Sequence, residues 1–288
     1  MKNNKISVIG ISGLSIFMKC DHFPNPGETG IMKSFHIEYG GKGYNQAIAI
    51  KRMNKDTEVS FLTAFGDDDI KDQALSLLYK ENINVFPIIK KGKQSAAATI
   101  LIDKNGQNIV NCFSGASLDL TKEDVQSFEE EIAESKYLLL QLESSDESLI
   151  EAVKLAKKHH TKVILNPAPY HDIPQEVLDN VYLLTPNEVE VLGLSPKGIN
   201  EINDNVIVTL GSKGAMFKEN NQLVNIPAPL VNTVNTTGAG DTFNGILAEM
   251  LLEGYKLKEA ITLAVKGASI SVTKEYVIDS IPYREEVL

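Results

Sequence analysis

Apolar residues at Phe243, Ile246, Leu247, Met250, Leu251 and Tyr255 recur at the spacing of one helical face, and Gly254 suits the stop. The small residues Thr236-Thr237-Gly238-Ala239-Gly240 run straight into this segment, so a glycine turn opens a buried helix. Upstream, Ile6 to Gly10 reads as a first strand and Glu28 to Tyr39 as an extended, polar-faced one. A second glycine turn, Gly40-Gly41-Lys42-Gly43, precedes a helical run over Ile48 to Met53, and Glu58 to Gly66 is again a strand. Asp67-Asp68-Asp69 stands before a helix carrying Ile70, Ala74, Leu77 and Leu78; carboxylates in a first helical turn complement the dipole, which favours capping over a metal cluster. Ala96 to Ile102 and Gln107 to Phe113 flank an Asn-Gly pair, a strong hairpin signal. With the strand near Ile31 to Tyr39, the hairpin predicts a small sheet apart from the main one, able to act as a lid.

From Thr121 helices and strands alternate: a helix to about Ser135, strand Tyr137 to Leu142, helix Glu147 to His160, strand Lys162 to Leu165, a short helix near Gln175 and strand Val181 to Thr185. A short helix from about Glu188, strand Val206 to Leu210, a ribbon around Asn220-Asn221 and a helix over Leu257 to Val272 complete the chain. This rhythm implies an α/β fold with a mostly parallel central sheet and helices on both faces. Without repeats or linkers, the expectation is one domain, 1–288, with a lid built from about 12–40 and 95–113.

The 288 residues, 43% hydrophobic, suffice for a large core, and no stretch has the length of a membrane span. The start Met1-Lys2-Asn3-Asn4-Lys5 leads into a strand rather than a secretory signal, so the expected location is cytoplasmic, without membrane association. Cys20 and Cys112 stand far apart, outside metal or disulfide spacing, and are expected to be inert thiols; the five histidines show no metal spacing either. A net charge of −10 argues against sequence-independent nucleic-acid binding, and it requires an anionic ligand to be held by local geometry.

The glycine turn before Phe243 is such a geometry. Backbone N–H groups at a helix start can approach an anion closely, and the dipole adds positive charge there. Asp241 lies at the same point, and a base beside an anion hole is what a hydroxyl needs to attack phosphorus. The bland alternative is an N-cap aspartate. Gly13 and Ser15 follow the first strand, where ligands bind in open α/β sheets, although small residues in a tight turn would read the same way. A Gly-x4-Gly-Lys-Ser/Thr loop is absent, neither glycine turn completes Gly-x-Gly-x-x-Gly, and protein-kinase signatures are missing.

The pair Gly40-Gly41-Lys42-Gly43-Tyr44-Asn45-Gln46-Ala47 and Asn235-Thr236-Thr237-Gly238-Ala239-Gly240-Asp241-Thr242-Phe243-Asn244-Gly245 resembles the two signatures of the PfkB family of carbohydrate kinases. Pro24 to Thr29, Gln141 to Ser144, Asn166 to Pro169, Thr185 to Glu188, Thr209 to Gly214 and Ile281 to Glu286 resemble further family segments, in order. The resemblance implies a ribokinase-like fold and transfer of the ATP γ-phosphate to a hydroxymethyl group of a small sugar, with D-ribose to D-ribose 5-phosphate as default. It makes Asp241 the catalytic base and the N–H groups of Ala239, Gly240 and Asp241 the anion hole, with Gly238 in the same catalytic turn. Gly41, Lys42, Gly43, Asn45 and Glu143 become sugar-site residues alongside Gly13 and Ser15. Asn187, Thr209, Leu210, Gly211, Ser212, Lys213, Gly214 and Gly240 meet the nucleotide, with Asn187 and Glu190 holding magnesium through water. The lid also forms a homodimer contact in such proteins.

The chain departs from the family pattern at several points. Gly13 and Ser15 replace an Asn and an Asp that grip sugar hydroxyls, and Tyr44 replaces a small residue, adding bulk or a stacking face near the pocket; Asp21 is a residue able to compensate. A monovalent-cation site would involve Asn235, Thr237, Ser271, Lys274, Tyr276 and Ser280, but Asn235 stands for an Asp and Tyr276 for a glycine, which predicts weak or absent potassium activation. Val265 replaces a polar residue near the adenine, and a helix is missing between Gly193 and Val206. Kinases of another acceptor (a nucleoside, a keto-deoxy sugar or a ketose phosphate) and a non-catalytic nucleotide-binding regulator are the alternatives.

Overall fold

Strand β1 (Lys5–Ile9) is buried along its whole length, as a central parallel strand covered on both faces must be. The structure, a computed structural model, describes residues 4–200 and 203–288. After β1 come β2 (Gly13–Lys19), β3 (Ser34–Gly40), α1 (Lys42–Met53), β4 (Glu58–Gly66), α2 (Ile70–Lys80), β5 (Asn84–Lys90), β6 (Ala96–Ile102) and β7 (Asn108–Phe113). The middle of the chain forms α3 (Lys122–Gln126), α4 (Glu129–Glu134), β8 (Tyr137–Gln141), α5 (Asp146–Lys158), β9 (Lys162–Asn166), α6 (Gln175–Leu178), β10 (Leu183–Leu184) and α7 (Glu188–Leu194). The last part adds β11 (Ile207–Thr209), β12 (Ala215–Glu219), β13 (Gln222–Ile226), α8 (Ala239–Glu253), α9 (Leu257–Ser271) and α10 (Arg284–Val287).

The central sheet runs β10-β9-β8-β1-β4-β5, all parallel. Strand alternation feeds two cores. Ile6, Val8, Phe61 and Leu139 pack with α1, α8 and α9 on one face, while Ile9, Leu62, Leu138 and Leu140 pack with α3 to α6 on the other. Bridges Leu184↔Val206 and Asn187↔Thr209 continue the sheet into the antiparallel ribbon β11-β12-β13. The lid is a separate four-stranded sheet, β3-β2-β6-β7, in which β2 and β6 pair in parallel and the other pairs are antiparallel. Its hairpin closes as expected at Asp103 to Gly106, where Asp103 accepts from the N–H groups of Asn105 (2.8 Å) and Gln107 (2.9 Å).

Several elements differ from the sequence expectation: β2 was not expected as a strand, β3 begins at Ser34 rather than Glu28, β10 is confined to Leu183–Leu184, and three further differences have a clear cause. β5 was not expected, because Pro87 interrupts its pattern; it is an edge strand, where a missing N–H is tolerated. The single helix expected from Thr121 breaks between α3 and α4. α1 begins at Lys42, not near Ile48, because its first turns bury Asn45 and Gln46 and so carry polar residues where the apolar stripe would be sought. Before α2, Asp68 rather than Asp69 makes the cap contact, accepting from the N–H of Ile70 (3.3 Å), and it also accepts from the N–H and hydroxyl of Ser95.

Candidate active site

The start of α8 is capped by Gly238, whose φ of 78° is the left-handed conformation glycine adopts readily. Asp241 lies three residues on, so it is not the N-cap. Its carboxylate turns into the protein, and the residue as a whole is 7% exposed. The first N–H groups of a helix have no intrahelical carbonyl. That of Ala239 is taken by the Thr236 carbonyl at 3.3 Å, which leaves Gly240 and Asp241 as the donors at the turn. No atom lies within 4 Å of where a side chain on Gly240 would begin, so the approach to these donors is open.

The start of α1 meets the start of α8. A Cβ on Gly43 would sit 2.8 Å from the Gly10 Cα, so only glycine lets the helix approach the end of β1 this closely. That contact delivers Asn45, whose Nδ2 donates to Asp241 Oδ2 at 2.8 Å, and Gln46, whose Nε2 donates to Oδ1 at 3.3 Å. Gln141 Nε2 in turn donates to Gln46 Oε1 at 2.7 Å. From the loop after β8, Glu143 accepts from Lys42 Nζ at 3.3 Å. Burial pushes the Asp241 carboxyl up, against the opposing Lys42 charge and the Asn45 and Gln46 hydrogen bonds. Burial also pushes Glu143 up, opposed by Lys42. Burial alone would lower the Lys42 pKa, but the nearby Glu143 and Asp241 outweigh it and raise it. The result is a buried cluster of two carboxylates and one ammonium, with Asn45 Oδ1 and Glu143 Oε2 lacking any hydrogen-bond partner among the described residues.

These groups share a cleft of ≈ 150 Å³ between the lid and the main sheet. Gly13, Ser15, Gly41, Lys42, Asn45, Glu143, Thr237, Gly238 and Asp241 all line it, so most of the expected sugar-site residues come together. Gly43 packs behind them against Gly10. Tyr44 corrects an expectation. It is fully buried, its hydroxyl donates to the Ala74 carbonyl at 3.1 Å, and it adds nothing to the cleft. Asp21 does not line the cleft either, and pairs with Lys33 at the surface. Cys112, expected only as an inert thiol, lines the cleft from the lid, with burial, and after it Glu143, raising its pKa.

The nucleotide-side residues form a neighbouring group. Asn187 caps α7 by accepting from the N–H groups of Val189 and Glu190, and the Glu190 carboxylate accepts from the Asn187 N–H (2.8 Å) and Nδ2 (3.0 Å). Glu190 is buried and its carboxyl is pushed up by that burial, with Lys42 among the influences that oppose it. The Asn187↔Thr209 bridge sets the Thr209 to Gly214 loop beside this cap. Leu210 follows β11 and opens a short turn, Gly211 and Gly214 have positive φ, and Ser212 and Lys213 are exposed, with Lys213 3.5 Å from Glu188. None of these residues lines the cleft itself.

The residues named for a monovalent cation do not form a ligand shell. Asn235 accepts from the Thr237 N–H at 3.0 Å and donates through Nδ2 to the Glu275 carbonyl at 2.8 Å, so an N–H stands where a cation would need an oxygen. Tyr276 stacks on His36 of the lid at 3.6 Å, Ser271 and Ser280 donate to carbonyls of their own turns, and Lys274 pairs with Glu286. The site does not fit the ion.

Several functional contacts were not assigned from sequence. Gln46 and Gln141, which brace Asp241, were quoted in motifs without a role. Glu38 of β3 accepts from the N–H groups of Val277 (2.9 Å) and Ile278 (3.3 Å), docking the lid. Asn244 donates to the Gly240 carbonyl (2.8 Å) and accepts from Thr185 (2.6 Å), tying α8 to the end of β10. The available signal was a polar residue on an otherwise apolar face, as with Asn244 in a helix buried from Asp241 to Leu252.

Residues 3–284 match the model of the pfkB family carbohydrate kinases. The chain is 33% identical over 306 residues to a ribokinase of Staphylococcus aureus, covering 99% of this chain and 98% of the relative. It superposes on the crystal structure of a Thermotoga maritima ribokinase with a TM-score of 0.85 and 35% identity, covering 98% and 97% of the two chains. An Arabidopsis thaliana ribokinase complexed with ribose and ATP superposes with a TM-score of 0.83 and 26% identity, over 98% and 96%. The chain therefore belongs to the pfkB family of carbohydrate kinases and is a phosphotransferase with an alcohol group as acceptor.

Proposed function

We propose that this chain transfers the γ-phosphate of ATP to the primary hydroxyl of a small sugar in the cleft, with D-ribose as the reference acceptor. One observation carries the assignment of roles: a buried carboxylate, Asp241, shares a cleft with sugar-sized hydrogen-bonding groups and lies at a helix start with open N–H donors. In the step, Asp241 takes the acceptor hydroxyl proton as that oxygen bonds the γ-phosphorus. The bond from phosphorus to the β–γ bridging oxygen breaks and ADP departs. The N–H groups of Gly240 and Asp241 hold the charge that builds on the transferred group. Asn45 orients the base and, with Lys42 and Glu143, binds acceptor hydroxyls.

Thr209 to Gly214 borders the nucleotide. Asn187 and Glu190 fit an outer-sphere role toward magnesium, since their oxygens suit a hard cation and Glu190 is a buried carboxylate without an ion-pair partner among the described residues. Magnesium held by these residues through water would supply positive charge to offset that of the phosphates. The lid, which exposes Phe35, Ile37 and Ile109 away from the cleft, is the surface we assign to a homodimer contact.

The test is ADP release with ATP over pentoses, hexoses, nucleosides and phosphosugars. Asp241→Asn should lower kcat by ~10²–10⁴-fold, the usual worth of a positioned base, while ATP still binds. Turnover by the variant within threefold of wild type would remove Asp241 from the mechanism.

A further inference from the structure

Asp241 brings two groups to the cleft, a carboxylate and a backbone N–H, and each is held from a different strand of the central sheet. The carboxylate is held from β8, through Gln141 and Gln46. The N–H belongs to the peptide joining Gly240 to Asp241, and the carbonyl of that same peptide accepts from Asn244 Nδ2 at 2.8 Å. Because α8 runs from Ala239 to Glu253, this carbonyl is also the helical acceptor of the Asn244 backbone N–H. A carbonyl has two lone pairs, and Asn244 engages both. The partners of the buried Asn244 amide fix its orientation: Oδ1 accepts from the Thr185 hydroxyl at 2.6 Å, and a flipped amide would set two oxygens against each other at Gly240. Thr185 is itself anchored just past the end of β10, where its N–H donates to the Leu165 carbonyl at 3.0 Å and its carbonyl accepts from Asn166 Nδ2 at 3.4 Å. On the open side, no atom lies within 4 Å of where a Cβ on Gly240 would be, so the peptide is steadied only from behind.

We propose, resting on the sugar-kinase reading above, that Asn244 is a positioning residue for phosphoryl transfer: it aims and polarises the Gly240–Asp241 peptide so that its N–H meets the transferred group. A peptide unit is planar, so pinning the carbonyl sets the direction of the N–H. Glycine by itself restrains that plane little. Two donors on one carbonyl also polarise the peptide, which makes its N–H the stronger donor. Neither effect requires Asn244 to touch ATP or the sugar. Its loss should therefore be felt where charge builds on the phosphoryl oxygens and not in substrate binding. Deleting a whole donor of this kind costs ~10²–10³-fold in kcat, and a donor that remains but is loosened and less polarised should cost roughly 10- to 50-fold.

The experiment uses Asn244→Leu, which has the shape of asparagine without its polar atoms, Thr185→Val, and the two combined. Replacing both partners by apolar groups of like shape strands no buried hydroxyl, so the combined variant should recover the stability lost in Asn244→Leu and separates folding from catalysis. The readouts are Tm, kcat and KM with the best acceptor of the panel, and the affinity for ADP and magnesium with and without aluminium fluoride, a mimic of the transferred phosphoryl group. In Asn244→Leu and in the combined variant kcat should fall roughly 10- to 50-fold, both KM values should stay within about threefold, and the tightening of ADP by aluminium fluoride should shrink by a similar factor. Thr185→Val, which frees the amide to turn, should lower kcat in the same way but less, and it carries the test should the leucine variants fail to fold. A kcat within about threefold of wild type in folded Asn244→Leu, or in Thr185→Val where it stands alone with no change in the aluminium fluoride effect, overturns the inference. So does a loss of kcat that the combined variant regains along with its Tm, or one that leaves the aluminium fluoride effect intact, since Asn244 would then serve the fold or the ground state. Any of these results, with activity still lost in Asp241→Asn, leaves the kinase reading standing. If no acceptor in the panel raises ADP release above ATP alone, both readings fall.

Discussion

Glu249 lies two turns along α8 from Asp241 and is fully buried, yet it takes no part in the cleft. Its Oε1 accepts from the Thr57 hydroxyl at 2.7 Å, and its Oε2 has no partner among the described residues. Burial pushes its pKa up to about 7, with Thr57 opposing and Glu253 adding to the rise. A carboxyl raised in the folded state holds its proton where the unfolded chain has lost it. Stability is therefore unpenalised below the ordinary pKa of 4.5, falls as pH rises toward 7, and is flat above. The shift of about 2.5 units corresponds to ~3 kcal/mol at pH 8. Glu249→Gln keeps the Thr57 bond and removes the charge, but it places an unpaired NH₂ where Oε2 stands, which costs ~1–2 kcal/mol. The net expectation at pH 8 is a gain of roughly 1–2 kcal/mol, a few degrees in Tm for a chain of this size. Thermal unfolding of both proteins from pH 5 to 8.5 is the assay, and the reading is the difference in Tm, which cancels every other titrating group. The variant's Tm minus the wild-type Tm should rise with pH, from zero or below near pH 5 to a positive value at pH 8, while kcat stays at the wild-type value. A signed difference that is constant or falls as pH rises would refute the reasoning.

In the cleft, Lys42→Met removes the main charge that opposes the burial of Asp241, so the acid limb of the kcat/KM profile should move to higher pH, beyond any loss in amplitude. Lys42→Arg keeps the charge and should leave the limb in place; a limb unmoved in Lys42→Met would sink this account. Turnover in potassium and in choline salts should agree within about twofold, because the Asn235 amide already joins the two segments a cation would bridge. A tenfold rise with potassium would show that the amide gives way to the ion.

The fold was largely legible because its periodicities are strong. β4 was bounded correctly at Glu58 and Gly66, and the alternation after Thr121 gave the parallel sheet. The site was legible only where backbone chemistry leaves a mark, at the glycines before α1 and α8. What sequence could not give was direction. Tyr44 stands one residue from Asn45 on α1, about 100° around the helix, and that rotation sends its ring to the core while Asn45 enters the cleft. In the same way Glu38 and Ser15, on neighbouring lid strands, come to one row only through pairing between segments distant along the chain. Gln141 braces Gln46 across 95 residues, a contact no local pattern encodes.

The lid and the turn that opens α8 are mechanically one unit. Lys19, His36 and Glu38 of the lid all seize residues 275–278, by an ion pair to Glu275, a ring stack on Tyr276 and the two backbone hydrogen bonds at Val277 and Ile278. The carbonyl of Glu275 is held by Asn235, and the other end of that amide fixes the N–H of Thr237, next to the Gly238 that caps α8. Val277 also packs against Gly238, where a Cβ would meet its Cγ1 at 2.5 Å. Moving the lid therefore loads the same short segment that shapes the helix start, through hydrogen bonds of ordinary length and a contact with no slack. A kinase gains from that arrangement, because the N–H donors should be set for a phosphoryl group when the cleft is covered and water is excluded. An amide with both ends engaged joins the two segments in a fixed geometry that the chain itself specifies.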